Sequence, residues 1–337
     1  MASEAEVLIV GGGAIGGVLA SLLAGNVGRL VVLDPAVEHA ERMRDPGLSV
    51  ESPDGDRMIR LDARTSADDL DGTFDYALVT VKATALEPAL TPLADGDLVE
   101  TFVSLGNGMV QNRVGAIVGA ERMIAGIIEW GATNLGPGRV SRTSIGPIVV
   151  GEMDGSRGER TDRFARDLSS LGEIEVSTNL RGAVWTKLLI NSTFAALGAI
   201  SGFVTGDIVA DPDGRNAALA LWREGYAAAE GNGIRLEPIF GATAEDLLAD
   251  SVGRERAEAN MRAALEGAKG TKASMLQDLE AGRPTEVDVI NGAVVAGGGE
   301  AGVPTPAQER TVELVHAIER GEASRRQANF DLVAAAR

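Results

Sequence analysis

The chain has 337 residues, 45% apolar and 24% charged, with a formal charge of −18 and no cysteine. That length exceeds one ordinary hydrophobic core and implies two domains. The acidity disfavours nucleic acid or an anionic membrane as partner, and the lack of cysteine excludes disulfides, thiolate nucleophiles and cysteine-ligated metals. The two histidines, His39 and His316, are far apart and lack ligand spacing, so no metal site is expected and a Ser-His-Asp triad has little to work with; each reads as an ordinary surface or helix-packing residue. The acidic N-terminus runs straight into a strand, without a basic leader, and no apolar run of about 18 residues is free of charge. The expected location is cytoplasmic.

In chain order, "EVLIVGGGAIGGVLASLLA" reads as strand, glycine turn and helix. Val7 to Val10 form a continuous apolar run, as in a buried parallel strand. Gly11, Gly13 and Gly16 supply G-x-G-x-x-G: a tight turn, a close approach for a pyrophosphate, and close helix–strand packing. With Ala14 and Ile15 they open a helix whose N-terminal N–H groups suit phosphate. The order strand, turn, helix makes the motif a dinucleotide site rather than an incidental turn. A second strand, "RLVVLD", ends at Asp34, 18 residues after Gly16. An acid there hydrogen-bonds the adenosine ribose and repels a 2′-phosphate, which predicts NAD over NADP. Asp34 also suits capping of a helix beginning at Pro35.

Further strands are expected at 74–81, 97–104 and 122–130, then a hairpin across "GATNLGPGRVSRTSIGPIVVGE", an amphipathic helix and a short strand "EIEVS". Lys82 and Asn107 stand just beyond carboxyl ends of strands, where open parallel sheets bind ligands. The sequence places the first domain at 1–178 and a helical domain at 179–337.

The second half is helical in pattern almost throughout. "RGAVWTKLLINSTFAALGAISG" is apolar except for Lys187 and Asn191, which lie four apart and share a helix face. A lysine there either snorkels outward or exchanges protons with a carbonyl oxygen. Downstream, a helix through Ser274 ends near Gly282, and another begins after "GRPT", with Thr285 as its N-cap and Glu286 in its first turn.

Taken together, "VGGGAIGG", "VKA" (81–83), "GNGM" (106–109), "WTKLLIN" (185–191), "SMLQDLEAGRPTEVDVINGAVV" (274–295) and "GVPTP" (302–306) resemble the ketopantoate reductase family, nearly end to end. The resemblance implies an α/β N-terminal Rossmann domain plus an all-α C-terminal domain like that of 6-phosphogluconate dehydrogenase, with the active site between them. It implies that Lys187 is the general acid toward the substrate carbonyl. Glu286 would hold substrate and set local proton chemistry. Lys82 and Asn107 would lie near the nicotinamide and its ribose, while Asn191 and Ser274 would bind substrate, the serine at a 2-keto acid's carboxylate. The chain departs from the family at Ala195 and Thr271, where asparagines are usual, and at Asp34 and Pro35, where a basic residue usually serves NADPH. Two missing amides imply a less polar small-molecule substrate. The expectation is a paralogue acting on CH–OH with NAD, in a homodimer; genuine NADPH-dependent 2-dehydropantoate reduction is the alternative.

Overall fold

The computed structural model describes residues 3–238 and 241–336. The chain divides into two units, Met1–Gly106 with Val110–Leu180, and Asn107–Met109 with Arg181–Arg337.

The first unit holds twelve strands among the described residues: β1 (Glu6–Val10), β2 (Arg29–Leu33), β3 (Leu48–Glu51), β4 (Arg57–Ile59), β5 (Asp62–Arg64), β6 (Phe74–Val79), β7 (Val99–Ser104), β8 (Met123–Ile128), β9 (Ala132–Gly136), β10 (Arg139–Arg142), β11 (Ile148–Gly151) and β12 (Ile174–Val176). Eight of them form one sheet in the order β12-β11-β8-β7-β6-β1-β2-β5. From β5 to β8 all pairings are parallel. This is the doubly wound dinucleotide-binding order, in which the chain reverses direction beside β1 and leaves a crevice at the strands' carboxyl ends. The central strands are apolar and almost fully buried, as parallel strands covered on both faces must be. Helices α1 (Ala14–Leu23), α2 (Val37–Arg42), α3 (Leu86–Asp95), α4 (Gln111–Val118) and α5 (Glu159–Asp167) complete the unit.

The expected hairpin forms, but outside the main sheet. β9 and β10 pair with each other but join β3 and β4 in a separate four-stranded sheet. Only β11 returns to the main sheet, antiparallel to β8. The small sheet packs on α1 at close range: a Cβ at Gly17 would lie 3.1 Å from Val140 Cγ1 and 3.3 Å from Leu48 Cδ2.

In the second unit every element among the described residues is helical: α6 (Leu180–Ile190, whose first residue belongs to the first unit), α7 (Ala196–Ser201), α8 (Thr205–Ala210), α9 (Pro212–Gly231), α10 (Ala249–Val252), α11 (Arg254–Leu265), α12 (Ser274–Glu280), α13 (Val287–Ala301), α14 (Pro306–Glu319) and α15 (Asn329–Ala334), with short 3₁₀ turns. Asp211 caps α9 by accepting from the Asp213 and Gly214 amides at 2.8 and 3.0 Å, with Pro212 at the first position. Between α6 and α7, Asn191–Ala195 form a π turn. The stretch Leu180–Ser201 is long and apolar enough to cross a membrane, yet 83% of its apolar window is buried. It serves as a core segment packed with Trp222, Leu221 and Ile290.

A buried polar chain runs through this core. Glu224 accepts from the Ala307 and Gln308 amides at 2.9 and 3.0 Å, at the N-terminus of α14 where a carboxylate is favoured. Burial pushes the Glu224 carboxyl up, and those two N–H donors partly offset it. Gln308 donates to the Leu221 carbonyl at 3.0 Å, and its side-chain oxygen accepts from Asn291 at 2.8 Å.

Candidate functional site

In the first unit the glycine turn is fixed atom by atom. Gly11 has φ +97°, a backbone region that glycine enters without strain. A Cβ at Gly16 would lie 1.9 Å from the Gly11 carbonyl oxygen and 2.6 Å from Thr80 Oγ1, so helix and turn meet there with no room for a side chain. A Cβ at Gly13 would meet nothing within 4 Å. That open face suits a pyrophosphate. Gly13 is the N-cap of α1 and offers no side-chain cap, which leaves the helix N-terminus at Ala14 and Ile15 to an anionic ligand. These residues therefore fit a dinucleotide.

Three side chains hold the turn. The Thr80 hydroxyl donates to the Gly11 carbonyl at 2.7 Å. Asp34 Oδ2 accepts from the Gly12 amide at 2.8 Å, and His39 Nε2 lies 2.7 Å from the Gly12 carbonyl. Asp34 does not cap a helix at Pro35, because α2 starts at Val37 with Ala36 as its N-cap; Asp34 Oδ1 instead accepts from the Ala36 amide at 3.0 Å. The carboxylate is thus anchored beside the turn at the carboxyl end of β2. His39 is no surface residue: it is buried, and its Nδ1 accepts from the Gly138 amide at 2.8 Å. Neither Thr80 nor His39 stood out in the sequence. Thr80 follows β6 directly, the only local hint, and His39 has no spacing signal at all. Lys82, half-buried, is the N-cap of the 3₁₀ turn Ala83–Ala85.

In the second unit, Glu286 stands at the start of α13. It is the N-cap rather than a first-turn residue, since the helix begins at Val287. Thr285 still supports that end, its hydroxyl accepting from the Val287 amide at 3.3 Å while its own amide and hydroxyl both donate to Glu319 Oε1 at 2.7 Å. Val289, three residues after Glu286, accepts from the Met109 amide at 3.0 Å, and a Cβ at Gly108 would lie 2.1 Å from the same carbonyl oxygen. Only glycine permits that approach, and it sets the loop carrying Asn107 against the first turn of α13. Asn291 donates to the Ser192 carbonyl at 2.8 Å, tying α13 to the π turn that starts at Asn191. The i→i+5 turn releases carbonyls from the helical ladder, and side chains must satisfy them when buried. Lys187 sits half-buried on α6 just before this turn.

Ser274 opens α12, exposed at its first position, and α12 packs on α7 and the π turn. Thr271 is exposed; its carbonyl accepts from the Thr205 amide at 3.1 Å. Ala195 is buried in the apolar cluster of the unit. His316 lies between Glu319 Oε2 at 2.8 Å and Asp288 Oδ1 at 2.9 Å. Partial burial works against its charge, but its hydrogen bonds to Glu319 and Asp288 prevail and raise its pKa. Burial alone would raise the Glu319 carboxyl, yet the Thr285 donors and His316 together hold it below the usual range.

A doubly wound unit with an open glycine turn, followed by an all-helical unit, is the plan of a dinucleotide-dependent oxidoreductase. Residues 7–155 match the family model for ketopantoate reductase PanE/ApbA, and residues 179–319 match that for its C terminal. A 2-dehydropantoate 2-reductase of Mesorhizobium japonicum is 30% identical over 94% of this chain and 99% of its own length. Among solved structures, a 2-dehydropantoate 2-reductase from Methylococcus capsulatus shares 26% identity, with TM-score 0.74 over 95% of this chain and 98% of its own. D-mandelate dehydrogenase with NADH and anilino(oxo)acetate superposes with TM-score 0.80 at 22% identity, over 94% of this chain and 99% of its own, a likeness of fold. The chain belongs to the ketopantoate reductase family, whose members are oxidoreductases.

Proposed function

We propose that this protein is a cytoplasmic, homodimeric dehydrogenase that moves hydride between NAD and the carbinol carbon of a 2-hydroxy acid less polar than pantoate. The observation that carries the reading is the set of hydrogen bonds onto the first turns of α13. Through Val289 and Asn291 they assemble the Asn107 loop, the π turn after Lys187, and Glu286 in one unit. The nicotinamide, when bound, supplies or accepts the hydride. Lys187 gives a proton to the ketone oxygen in reduction and, when neutral, takes the hydroxyl proton in oxidation. Ser274 and Asn191 hold the carboxylate end of the substrate, and Glu286 orients the group at the reacting carbon. Gly11, Gly13, Ala14, Ile15 and Gly16 cradle the pyrophosphate, with Lys82 and Asn107 near the nicotinamide end.

Asp34 supports NAD: its carboxylate, held by the Gly12 and Ala36 amides, can accept from ribose hydroxyls and repels a 2′-phosphate. The apolar Ala195 and the short Thr271 support a substrate with fewer hydroxyls. The M. japonicum relative, named 2-dehydropantoate 2-reductase, favours a second reading, reduction of ketopantoate, for which the family resemblance implies NADPH. Steady-state kinetics over 2-hydroxy acids of graded polarity, pantoate and ketopantoate, with both cofactors, decide. Efficient NADPH-dependent turnover of ketopantoate would overturn the proposal; sedimentation tests the dimer.

A further inference from the structure

We infer that His39 is a positioning residue that aims the Gly13 amide at the dinucleotide pyrophosphate, with the small second sheet as its anchor. The inference rests on the dinucleotide-binding reading and adds a residue to it.

The peptide joining Gly12 to Gly13 is planar and trans, so its C=O and N–H point in opposite directions. Fixing one end therefore aims the other. With glycine on both sides, this peptide meets the least steric resistance to rotation. His39 supplies the missing constraint, with Nε2 2.7 Å from the Gly12 carbonyl. The opposite end, the Gly13 N–H, is then turned away from the buried imidazole, and the position where a Cβ of Gly13 would stand is open for 4 Å around.

The proton inventory of the ring agrees. The Gly138 amide can only donate, so Nδ1, 2.8 Å away, is the acceptor. The remaining proton sits on Nε2 and is donated to the Gly12 carbonyl. A neutral imidazole with this tautomer satisfies both bonds; no apolar side chain can. Gly138 lies at φ +69° in the turn between β9 and β10, and a Cβ there would lie 2.5 Å from Arg42 Cβ, on α2, the helix that carries His39. The hairpin is thus locked against α2. The chain of contact runs from the second sheet through Gly138 and His39 to Gly12, which gives that sheet a role in cofactor binding. Asp34, on the adjacent peptide, holds the Gly12 amide, so both peptides that meet at Gly12 are clamped.

The test compares three variants of the full chain by NAD and NADH titration, by KM for NAD against kcat, and by thermal midpoint. His39→Gln keeps a planar acceptor and donor. His39→Asn reaches Gly138 but falls short of Gly12, and His39→Leu keeps neither bond. Expected are affinities near wild type for His39→Gln and losses of about tenfold or more for His39→Asn and His39→Leu, mainly in KM for NAD with kcat little changed. Equal affinity in the Asn and Gln variants would overturn the inference, as would wild-type affinity in His39→Leu. If His39→Leu fails to fold, the Asn and Gln pair still decides. Failure of the wild-type chain to bind either dinucleotide would overturn the functional reading itself and this inference with it.

Discussion

Asn291→Ala tests how the candidate site is assembled. Asn291 is fully buried on α13 and donates to two partners at 2.8 Å, the Ser192 carbonyl in the π turn and the Gln308 side-chain oxygen. Truncation leaves both acceptors buried without that donor. Each stranded acceptor costs about 1–3 kcal/mol, while truncation also removes the Asn291 Oδ1, which is buried without a partner, so the net is about 1–3 kcal/mol, before any cavity cost. For a chain of 337 residues, at about 2.1 cal/mol/K of unfolding entropy per residue, each kcal/mol lowers the thermal midpoint by about 1.4 °C, so the shift is roughly 1–4 °C. Denaturant unfolding followed by circular dichroism measures it as a lower midpoint at unchanged slope. Because the Ser192 carbonyl lies in the turn after Lys187, hydride transfer should fall as well while NAD affinity holds. Pairing with Gln308→Ala adds a cycle: once Asn291 is gone, the Gln308 oxygen is already stranded, so the double variant should lose less than the sum of the singles. A single variant within 0.5 kcal/mol of wild type, or strict additivity of the pair, would refute the claim that this chain of amides holds the π turn.

Lys187→Ala should lower kcat by about 10²–10⁴-fold with dinucleotide binding retained, read by single-turnover kinetics alongside titration; equal losses of both would contradict its proton-transfer role. Asp34→Asn keeps an acceptor for the Gly12 amide but drops the charge, so the preference for NAD over NADP should shrink about tenfold or more, measured as a ratio of kcat/KM values. The acid–histidine cluster predicts a pH dependence of stability. His316, raised from 6.5, contributes fully below pH 6.5 and loses its contribution as pH rises through its folded value; Glu319, lowered from 4.5, contributes fully above pH 4.5 and loses it as pH falls through its folded value. Melting curves should show the cluster at full strength between those two pH values, and His316→Gln should flatten the alkaline limb; an unchanged limb would dissociate stability from this histidine.

The sequence by itself determined the local chemistry: the apolar runs that become the core strands, the glycine turn, Asp34 at the end of β2, and the family motifs around Lys187 and Glu286. These are short-range signals, since periodicity, propensity and turn residues act within a few positions. Tertiary structure decided what distant residues make of one another. The hairpin left the main sheet because β10 found β3 as a partner, a pairing no local pattern encodes. Asp34 does not cap a helix, because α2 starts only at Val37, and its two oxygens accept from the Gly12 and Ala36 amides instead. Asn191 opens a π turn rather than continuing α6, with Asn291, 99 residues downstream of Ser192, donating to the Ser192 carbonyl at 2.8 Å. His39, an ordinary helix residue by its neighbours, became a clamp only because Gly12 and Gly138 were folded onto its two nitrogens. A hydrogen bond depends on where two atoms meet, and for partners some hundred residues apart only the closed fold sets that place.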